Sequence, residues 1–218
     1  MKEKVVIFGI LDTAELAHWY LENDSEFEVV AFTLSKEYIK ETTFKGLPVV
    51  PFEELTKLYP PSEYKLFAPM TGKNMNKIRK KIYLQGKDMG YNYISYISSK
   101  ATICGNEIGE NCFILENQTV QTGVVIEDNV VMWSSNHIGH ETHIGKHTYI
   151  SSHVVISGHC KIGERCFFGV NSAVADFTSI GSDSFITMGS NINTNLKEGS
   201  TTINSGTKIL NDKDPLSI

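Results

Sequence analysis

The stretch HIGHETHIGKHTYISSHVVISGHCKIG, residues 137–163, carries isoleucine at every sixth position. The same six-residue spacing of apolar residues runs without a break from Ile108 to Ile192. Helices repeat their apolar positions every three to four residues and strands every two, so neither element produces this period. A period of six is typical of hexapeptide repeats, whose short strands wind into a parallel β-helix.

The second inward position of each repeat is mostly occupied by a small residue, as a narrow prism requires. Glycine often follows the large apolar residue, where a tight corner is expected. The cysteines fall in this region without a C-x-x-C pair, and we interpret them as reduced core residues rather than zinc ligands or disulfides. They are Cys104, Cys112, Cys160 and Cys166.

Residues 1–92 follow a different pattern, in which strand-like and helix-like segments alternate. The last helical segment is expected over residues 74–89, with Ile78, Ile82 and Leu84 toward the core. Alternation of this kind predicts a small parallel sheet covered by helices, a Rossmann-like α/β domain. The predicted organisation is this domain over 1–92, an all-β parallel β-helix over 93–198 and a tail over 199–218.

Sheets of this class bind ligands at the carboxyl ends of their strands. The loop from Gly9 to Ala14 lacks the G-x-G-x-x-G spacing, and Asp12 would repel a pyrophosphate, so bound NAD is not expected. A nucleotide or nucleotide-sugar remains a candidate ligand, with a docking domain that binds nothing as the alternative. The candidate contacts are Gly9, Thr13, Phe32 and Thr33.

The chain has a formal net charge of -5 and a pI near 5.8, which give no general attraction to nucleic acid or anionic membranes. The first apolar run, Val5 to Leu11, is too short to span a bilayer and lacks a signal-peptide cleavage pattern. We therefore expect a cytoplasmic protein.

Six of the seven histidines lie between His137 and His159. Histidine is both a general base near neutral pH and a frequent metal ligand. No two of the six are separated by eighteen residues, the length of one coil of three repeats, so a three-histidine metal site within one chain is disfavoured. A metal site shared between subunits stays open. The pair His140-Glu141 is the predicted base and its carboxylate partner, placed at a corner of the coil.

Three motifs together carry a family resemblance: residues 136–141 (NHIGHE), residues 150–158 (ISSHVVISG) and residues 169–171 (GVN). With the hexapeptide run and the Rossmann-like front end, the chain resembles sugar acyltransferases of the sialic-acid O-acetyltransferase and bacillosamine N-acetyltransferase type. The resemblance covers nearly the whole chain.

This resemblance implies a left-handed β-helix assembled as a homotrimer, with active sites between neighbouring prisms. It implies transfer of an acetyl group from acetyl-CoA, without a metal, to a sugar bound through its nucleotide by the amino-terminal domain. We expect a nucleotide-linked amino sugar as acceptor, in bacterial surface-polysaccharide biosynthesis. A single imidazole base suffices for direct attack on the thioester.

The resemblance also assigns roles to individual residues. His140 matches the general base and Glu141 its partner. The expected acetyl-CoA contacts are Gly158 near the thioester, Val170 along the pantetheine, Tyr149 where some relatives carry a second histidine, and Lys208 near a CoA phosphate.

Three alternative functions remain open from the sequence. The first is sugar O-acetylation by the same fold. The second is a metalloenzyme resembling the γ-type carbonic anhydrases, which gives residues 1–92 no role. The third is a non-catalytic trimeric scaffold, which gives the histidine cluster no role.

Overall fold

A computed structural model describes residues 2–105 and 107–204 of the chain. The amino-terminal part contains a five-stranded sheet, and the carboxyl-terminal part is a prism built from three further sheets of short strands. None of the helices in the described ranges is long and apolar enough to cross a membrane.

The amino-terminal sheet is mostly parallel. Its strands are β1 Lys4–Phe8, β2 Glu28–Leu34, β3 Thr43–Phe44, β4 Leu47–Pro51 and β5 Tyr64–Phe67. The α-helices are α1 Asp12–Asn23, α2 Leu55–Leu58 and α3 Lys77–Asp88, and short 3-10 helices cover Lys36–Tyr38 and Phe52–Glu54. The strand order is β3-β4-β2-β1-β5, with only the β3–β4 pair antiparallel. The sheet is thus parallel apart from its β3–β4 edge, and a Rossmann-like domain stays an expectation.

Helix α3 buries a different stripe from the one predicted. Ile78 and Leu84, expected in the core, are 43% and 45% exposed, whereas Ile82 is buried as expected. The buried stripe also contains Arg79, which is completely inaccessible to solvent. The prediction was wrong for Ile78 and Leu84. Apolar periodicity cannot identify a buried face that contains an arginine, so it selected the wrong side of the helix.

The prism contains two-residue strands arranged on three faces. Face 1 holds β7 Thr102–Ile103, β10 Thr119–Val120, β13 His137–Ile138, β16 Val155–Ile156, β19 Ala173–Val174 and β22 Asn191–Ile192. Face 2 holds β8 Glu107–Ile108, β11 Val125–Ile126, β14 His143–Ile144, β17 Lys161–Ile162 and β20 Ser179–Ile180. Face 3 holds β6 Tyr96–Ile97, β9 Phe113–Ile114, β12 Val131–Met132, β15 Tyr149–Ile150, β18 Phe167–Phe168 and β21 Phe185–Ile186.

Neighbouring strands on each face are eighteen residues apart in sequence and pair in parallel, as in His137 with Val155. One coil is therefore three hexapeptides. The large apolar residue of each strand points inward and, with small residues such as Cys160 and Val154, forms one continuous core. The predicted hexapeptide β-helix is confirmed, and its left-handed sense stays an expectation from the resemblance.

Face 3 is covered by the amino-terminal part of the chain. Phe113 and Tyr149 on this face share a buried core with Val5, Ala17 and Phe67. The sheet of the first part and the prism of the second are thus joined through a common apolar interior.

Three of the four cysteines behave as the sequence predicts. Cys112, Cys160 and Cys166 are buried free thiols. Burial raises the pKa of Cys112 to about 12 and that of Cys166 to about 11, which keeps both thiols protonated and unreactive at neutral pH. Cys104 departs from the prediction because it is exposed at the first coil, where fewer neighbouring coils cover it.

Candidate functional site

Each coil turns at three corners, and the residues of a corner stack along the axis of the prism. The open corner, between faces 1 and 2, comprises residues 122–123, 140–141, 158–159 and 176–177. The covered corner, between faces 2 and 3, comprises residues 110–111, 128–129, 146–147, 164–165 and 182–183. The third corner, between faces 3 and 1, comprises residues 116–117, 134–135, 152–153, 170–171 and 188–189.

His140 is exposed at the open corner, and Gln121 fixes its ring. The side-chain oxygen of Gln121 accepts the backbone N–H of His140 at 2.9 Å and lies 3.2 Å from its Nδ1. A backbone N–H must meet an acceptor, so this Gln121 atom is the amide oxygen, and Nδ1 must carry the hydrogen that it shares with it. The lone pair of the neutral imidazole is then on Nε2, ready to accept a proton.

Glu141 is not brought to the imidazole. Its side chain lies against Gly123 on the coil below, and its own φ is 54°. Within residues 2–105 and 107–204, no hydrogen bond joins the Glu141 carboxylate to the ring of His140, because adjacent residues diverge at the corner. Gln121 makes the ring contact that was expected of Glu141. It lies nineteen residues before His140, next to Thr122, the residue one coil directly below.

Gly158 lies one coil above His140 and leaves room for the ring. A Cβ at this position would stand 2.8 Å from Cε1 of His140, closer than real Cβ atoms come to other atoms. The backbone N–H of Gly158 donates to Oδ1 of Asp176 at 2.8 Å. The N–H of Gly158, the residue expected near the thioester, is therefore already engaged by a carboxylate in this structure.

An aromatic column extends from His140 along the open corner. The ring of His159 meets the ring of His140 edge to face, with centroids 4.8 Å apart. Its other face stacks on Phe177 at 4.7 Å, with the planes 4° apart. Phe177 is 73% exposed and has a φ of 59°, a backbone conformation that is costly for a bulky residue. The sequence did not predict this column because residues at the corner positions have no pattern that distinguishes them from other exposed residues.

Tyr149 lies on face 3, which is opposite the open corner. Its ring stacks on Phe167 with centroids 5.1 Å apart and planes 3° apart. The side chain is buried against the amino-terminal part, and this burial raises the pKa of its hydroxyl. Within one chain, Tyr149 is therefore separated from His140 by the width of the prism.

Val170 lies on the third corner and is 39% exposed. It lines a shallow groove of about 660 Å³ together with Met188, Thr202 and Ile203. This groove is also remote from His140 within one chain, because the two corners lie on opposite edges of face 1. Lys208 lies outside the described residues.

The four predicted nucleotide contacts divide into two pairs. Gly9 follows β1 with a φ of 113° and donates its N–H to the carbonyl of Thr33. Thr13 is half-buried in the first turn of α1. Phe32 and Thr33 are completely buried, and the Thr33 hydroxyl donates to the carbonyl of Val50 at 2.9 Å. Both side chains are enclosed because β2 continues through Leu34, so in this structure neither is accessible to a ligand.

The covered corner holds a second histidine in a structural role. The guanidinium of Arg79 donates to the carbonyls of Asn129 and His147. His147 is buried, and its Nδ1 accepts from the side-chain amide of Asn129 at 2.7 Å. Burial and the nearby cation of Arg79 lower the pKa of His147 to about 4, so its imidazole is neutral at physiological pH.

The remaining histidines stay dispersed. His143 faces outward on face 2 with Nε2 3.3 Å from a carboxylate oxygen of Glu127. His137 lies on face 1 and His153 on the third corner. In the described parts of the chain, no group of three or more histidine, cysteine or acidic side chains is arranged to hold a metal ion.

Comparisons with known proteins agree with this architecture. The family described as hexapeptide repeat of succinyl-transferase matches residues 105–132 and 160–193. No curated protein matches the chain in sequence.

Solved structures share the fold over nearly their full lengths. PerB from Caulobacter crescentus, in complex with CoA and GDP-perosamine, superimposes with a TM-score of 0.82 at 20% identity, covering 95% of this chain and 97% of that one. The acetyltransferase domain of PglB from Neisseria gonorrhoeae, in complex with acetyl coenzyme A, gives 0.81 at 20% identity, covering 96% and 100%. WeeI from Acinetobacter baumannii gives 0.60 at 15% identity, covering 94% and 99%. The chain thus shares with these proteins a fold that joins an α/β domain to a hexapeptide β-helix.

Proposed function

We propose that this chain is an acetyl-CoA-dependent N-acetyltransferase that acts on a nucleotide-linked amino sugar in bacterial surface-polysaccharide biosynthesis. The observation that carries the proposal is the exposed imidazole of His140, whose Nε2 lone pair is fixed by the contact between Nδ1 and Gln121. The shared fold with PerB, solved with CoA and GDP-perosamine, supports this choice of cosubstrate and acceptor class.

The reaction requires one base and no covalent enzyme intermediate. The amine nitrogen of the sugar forms a bond to the carbonyl carbon of acetyl-CoA, and the carbon–sulfur bond breaks to release CoA as a thiolate. Nε2 of His140 takes one proton from the amine and returns it to the thiolate, so that the products are the N-acetyl sugar and free CoA. Proton transfer of this kind contributes typically about 10² to 10⁴ in rate.

A homotrimer completes the site in this proposal. His140 stands on the open corner, whereas the groove at Val170 and the ring of Tyr149 belong to a different corner and face of the same prism. A neighbouring protomer that presents its third corner to the open corner would bring the Val170 groove beside the base. We assign that groove to the pantetheine arm of acetyl-CoA.

The acceptor nucleotide is assigned to the carboxyl edge of the amino-terminal sheet. Gly9 and Thr13 remain the candidate contacts, since both are partly accessible there. Phe32 and Thr33 are left out because neither side chain reaches solvent.

The test is release of free thiol from acetyl-CoA against a panel of nucleotide-linked amino sugars and hydroxy sugars, beginning with GDP-perosamine. We expect an amino sugar to respond and His140→Asn to lose at least about 100-fold in kcat/KM. His143→Asn makes the same substitution on face 2 and should keep wild-type activity. The proposal fails if no amino sugar responds, and the assignment of the base fails if His140→Asn loses less than about tenfold.

A further inference from the structure

Asp176 faces His140 across Gly158. Its Oδ1 accepts the Gly158 N–H at 2.8 Å from the coil above. The ring of His140 approaches the same residue from the coil below, with Cε1 toward the empty Cβ position. A carboxylate and an imidazole from coils two levels apart thus both approach the same glycine.

The second carboxylate oxygen of Asp176 is available to a ligand. Among the residues in 2–105 and 107–204, Oδ2 receives no hydrogen bond, and the Asp176 side chain is exposed. An ionised carboxylate only accepts hydrogen bonds. Nε2 of His140 is likewise an acceptor in the tautomer that Gln121 fixes. The space beside Gly158 therefore presents two acceptors and favours a group that brings two hydrogens.

A primary amine and a hydroxyl differ in the number of hydrogens that they can donate to these two acceptors. A neutral amine carries two hydrogens, so it can donate one to Nε2 of His140 and one to Oδ2 of Asp176 while its lone pair points at the thioester carbon. A hydroxyl carries one hydrogen, which the base requires, and would turn a lone pair toward the carboxylate. A carboxylate oxygen that has no donor, or that faces a lone pair, loses more binding free energy than an uncharged acceptor in the same situation.

We propose that Asp176 is the specificity-determining residue that selects an amine over a hydroxyl in the acceptor sugar. This inference rests on the proposed function and deepens it. It gives the carboxylate a role in binding the nucleophile, whereas the transfer of the proton stays with His140.

The decisive variant is Asp176→Asn. Its amide oxygen can still accept the Gly158 N–H, while its NH₂ group now presents donors to the substrate. We expect kcat/KM for the responding amino sugar to fall about 30-fold. The comparison substrate is the same sugar with a hydroxyl in place of the amine. The ratio of kcat/KM for the amine to that for the hydroxyl should fall about 100-fold. Asp176→Ala should lower the amine rate similarly without raising the hydroxyl rate.

The matched control is Asp88→Asn, which removes the same charge at the exposed end of α3 and should leave the ratio unchanged. Equal melting temperatures of the variants establish that the prism is intact. A wild-type enzyme that acetylates the amino sugar, together with an Asp176→Asn variant whose ratio is unchanged, overturns this inference alone. A wild type without activity on any amino sugar overturns the proposed function and the inference with it.

Discussion

His140 and His147 lie at consecutive corners of one coil and acquire opposite properties. At the covered corner, the imidazole of His147 is buried, and the cation of Arg79 helps to lower its pKa to about 4. At the open corner, His140 is exposed, with Gly158 above its ring and the ring of His159 against its side. The repeat gives both histidines the same kind of scaffold. What separates a structural histidine from a candidate base is the cover that each corner receives.

The cover of the two corners comes from different sources. The covered corner receives α3, whose Arg79 donates hydrogen bonds to carbonyls at two successive levels. At the open corner, His140 is contacted by side chains of the prism itself, among them Gln121 and His159. In our proposal the covered corner contributes to stability and the open corner to chemistry, and four variants test that division.

The largest effect is expected from Arg79→Met, which removes the guanidinium that α3 places over the covered corner. The carbonyls of Asn129 and His147 lose their donor while they remain buried, so the free energy of unfolding should fall by about 3 kcal/mol. Urea unfolding measures this loss. The control is Lys80→Met, which removes only a partly exposed ion pair with Glu164 and should cost less than about 1 kcal/mol. Equal losses in the two variants would contradict the role of Arg79.

The next effect is expected from Gly158→Ala, which closes the open corner. Its new methyl group meets the His140 ring and must displace it, and misplacement of a catalytic group by about 1 Å can cost about 100-fold in rate. We expect this loss in kcat with little change in melting temperature, because the atoms in the way belong to a side chain that can rotate. Unchanged kcat would show that the ring need not occupy its present place.

A smaller effect is expected from Gln121→Leu, which removes the acceptor of Nδ1–H. Without that acceptor the imidazole is free to place its lone pair on either nitrogen, so kcat/KM should fall by about tenfold. Gln121→Glu retains an oxygen acceptor and should recover most of the rate. If neither variant changes the rate, another group orients His140.

The smallest effect is expected from His147→Asn and appears only in acid. The pKa of His147 is about 4 in the folded chain and about 6.5 when unfolded, so the folded state binds fewer protons and acidification favours unfolding. The stability that the neutral ring provides is complete above about pH 6.5 and is lost progressively as the pH falls toward 4. Asparagine tolerates the positive φ of this site, and His147→Asn should lose less melting temperature than wild type between pH 7 and 4.5. If the melting temperatures of wild type and variant fell equally with pH, the lowered pKa of His147 would be contradicted.

The prism could be predicted from the sequence because its cause is local and repeated. Each repeat must return one large apolar residue to the interior, and the unbroken series from Ile108 to Ile192 records that requirement directly. Helix α3 was harder because its buried face depends on a contact with the covered corner. Arg79 is buried although it is charged, and Ile78 and Leu84 are exposed although they are apolar, so hydrophobicity indicated the wrong face.

The site could be predicted only in part, for a related reason. The histidine at 140 stood out by residue type and position, but its neighbours come from other coils. Gln121 is brought to it from the coil below and Asp176 from two coils above, whereas the side chain of Glu141, next in sequence, lies against Gly123. Such contacts between coils depend on how side chains lean at the corner, which the sequence alone does not give.

The apolar interior that face 3 shares with the amino-terminal sheet limits how this protein can be divided. Cutting the chain near residue 92 would uncover Phe113, Tyr149 and their neighbours as a continuous aromatic strip. Such a strip invites self-association, so an isolated prism would need new polar residues there to stay monodisperse. Exchange of the amino-terminal domain between proteins of this fold would for the same reason require matched changes on face 3.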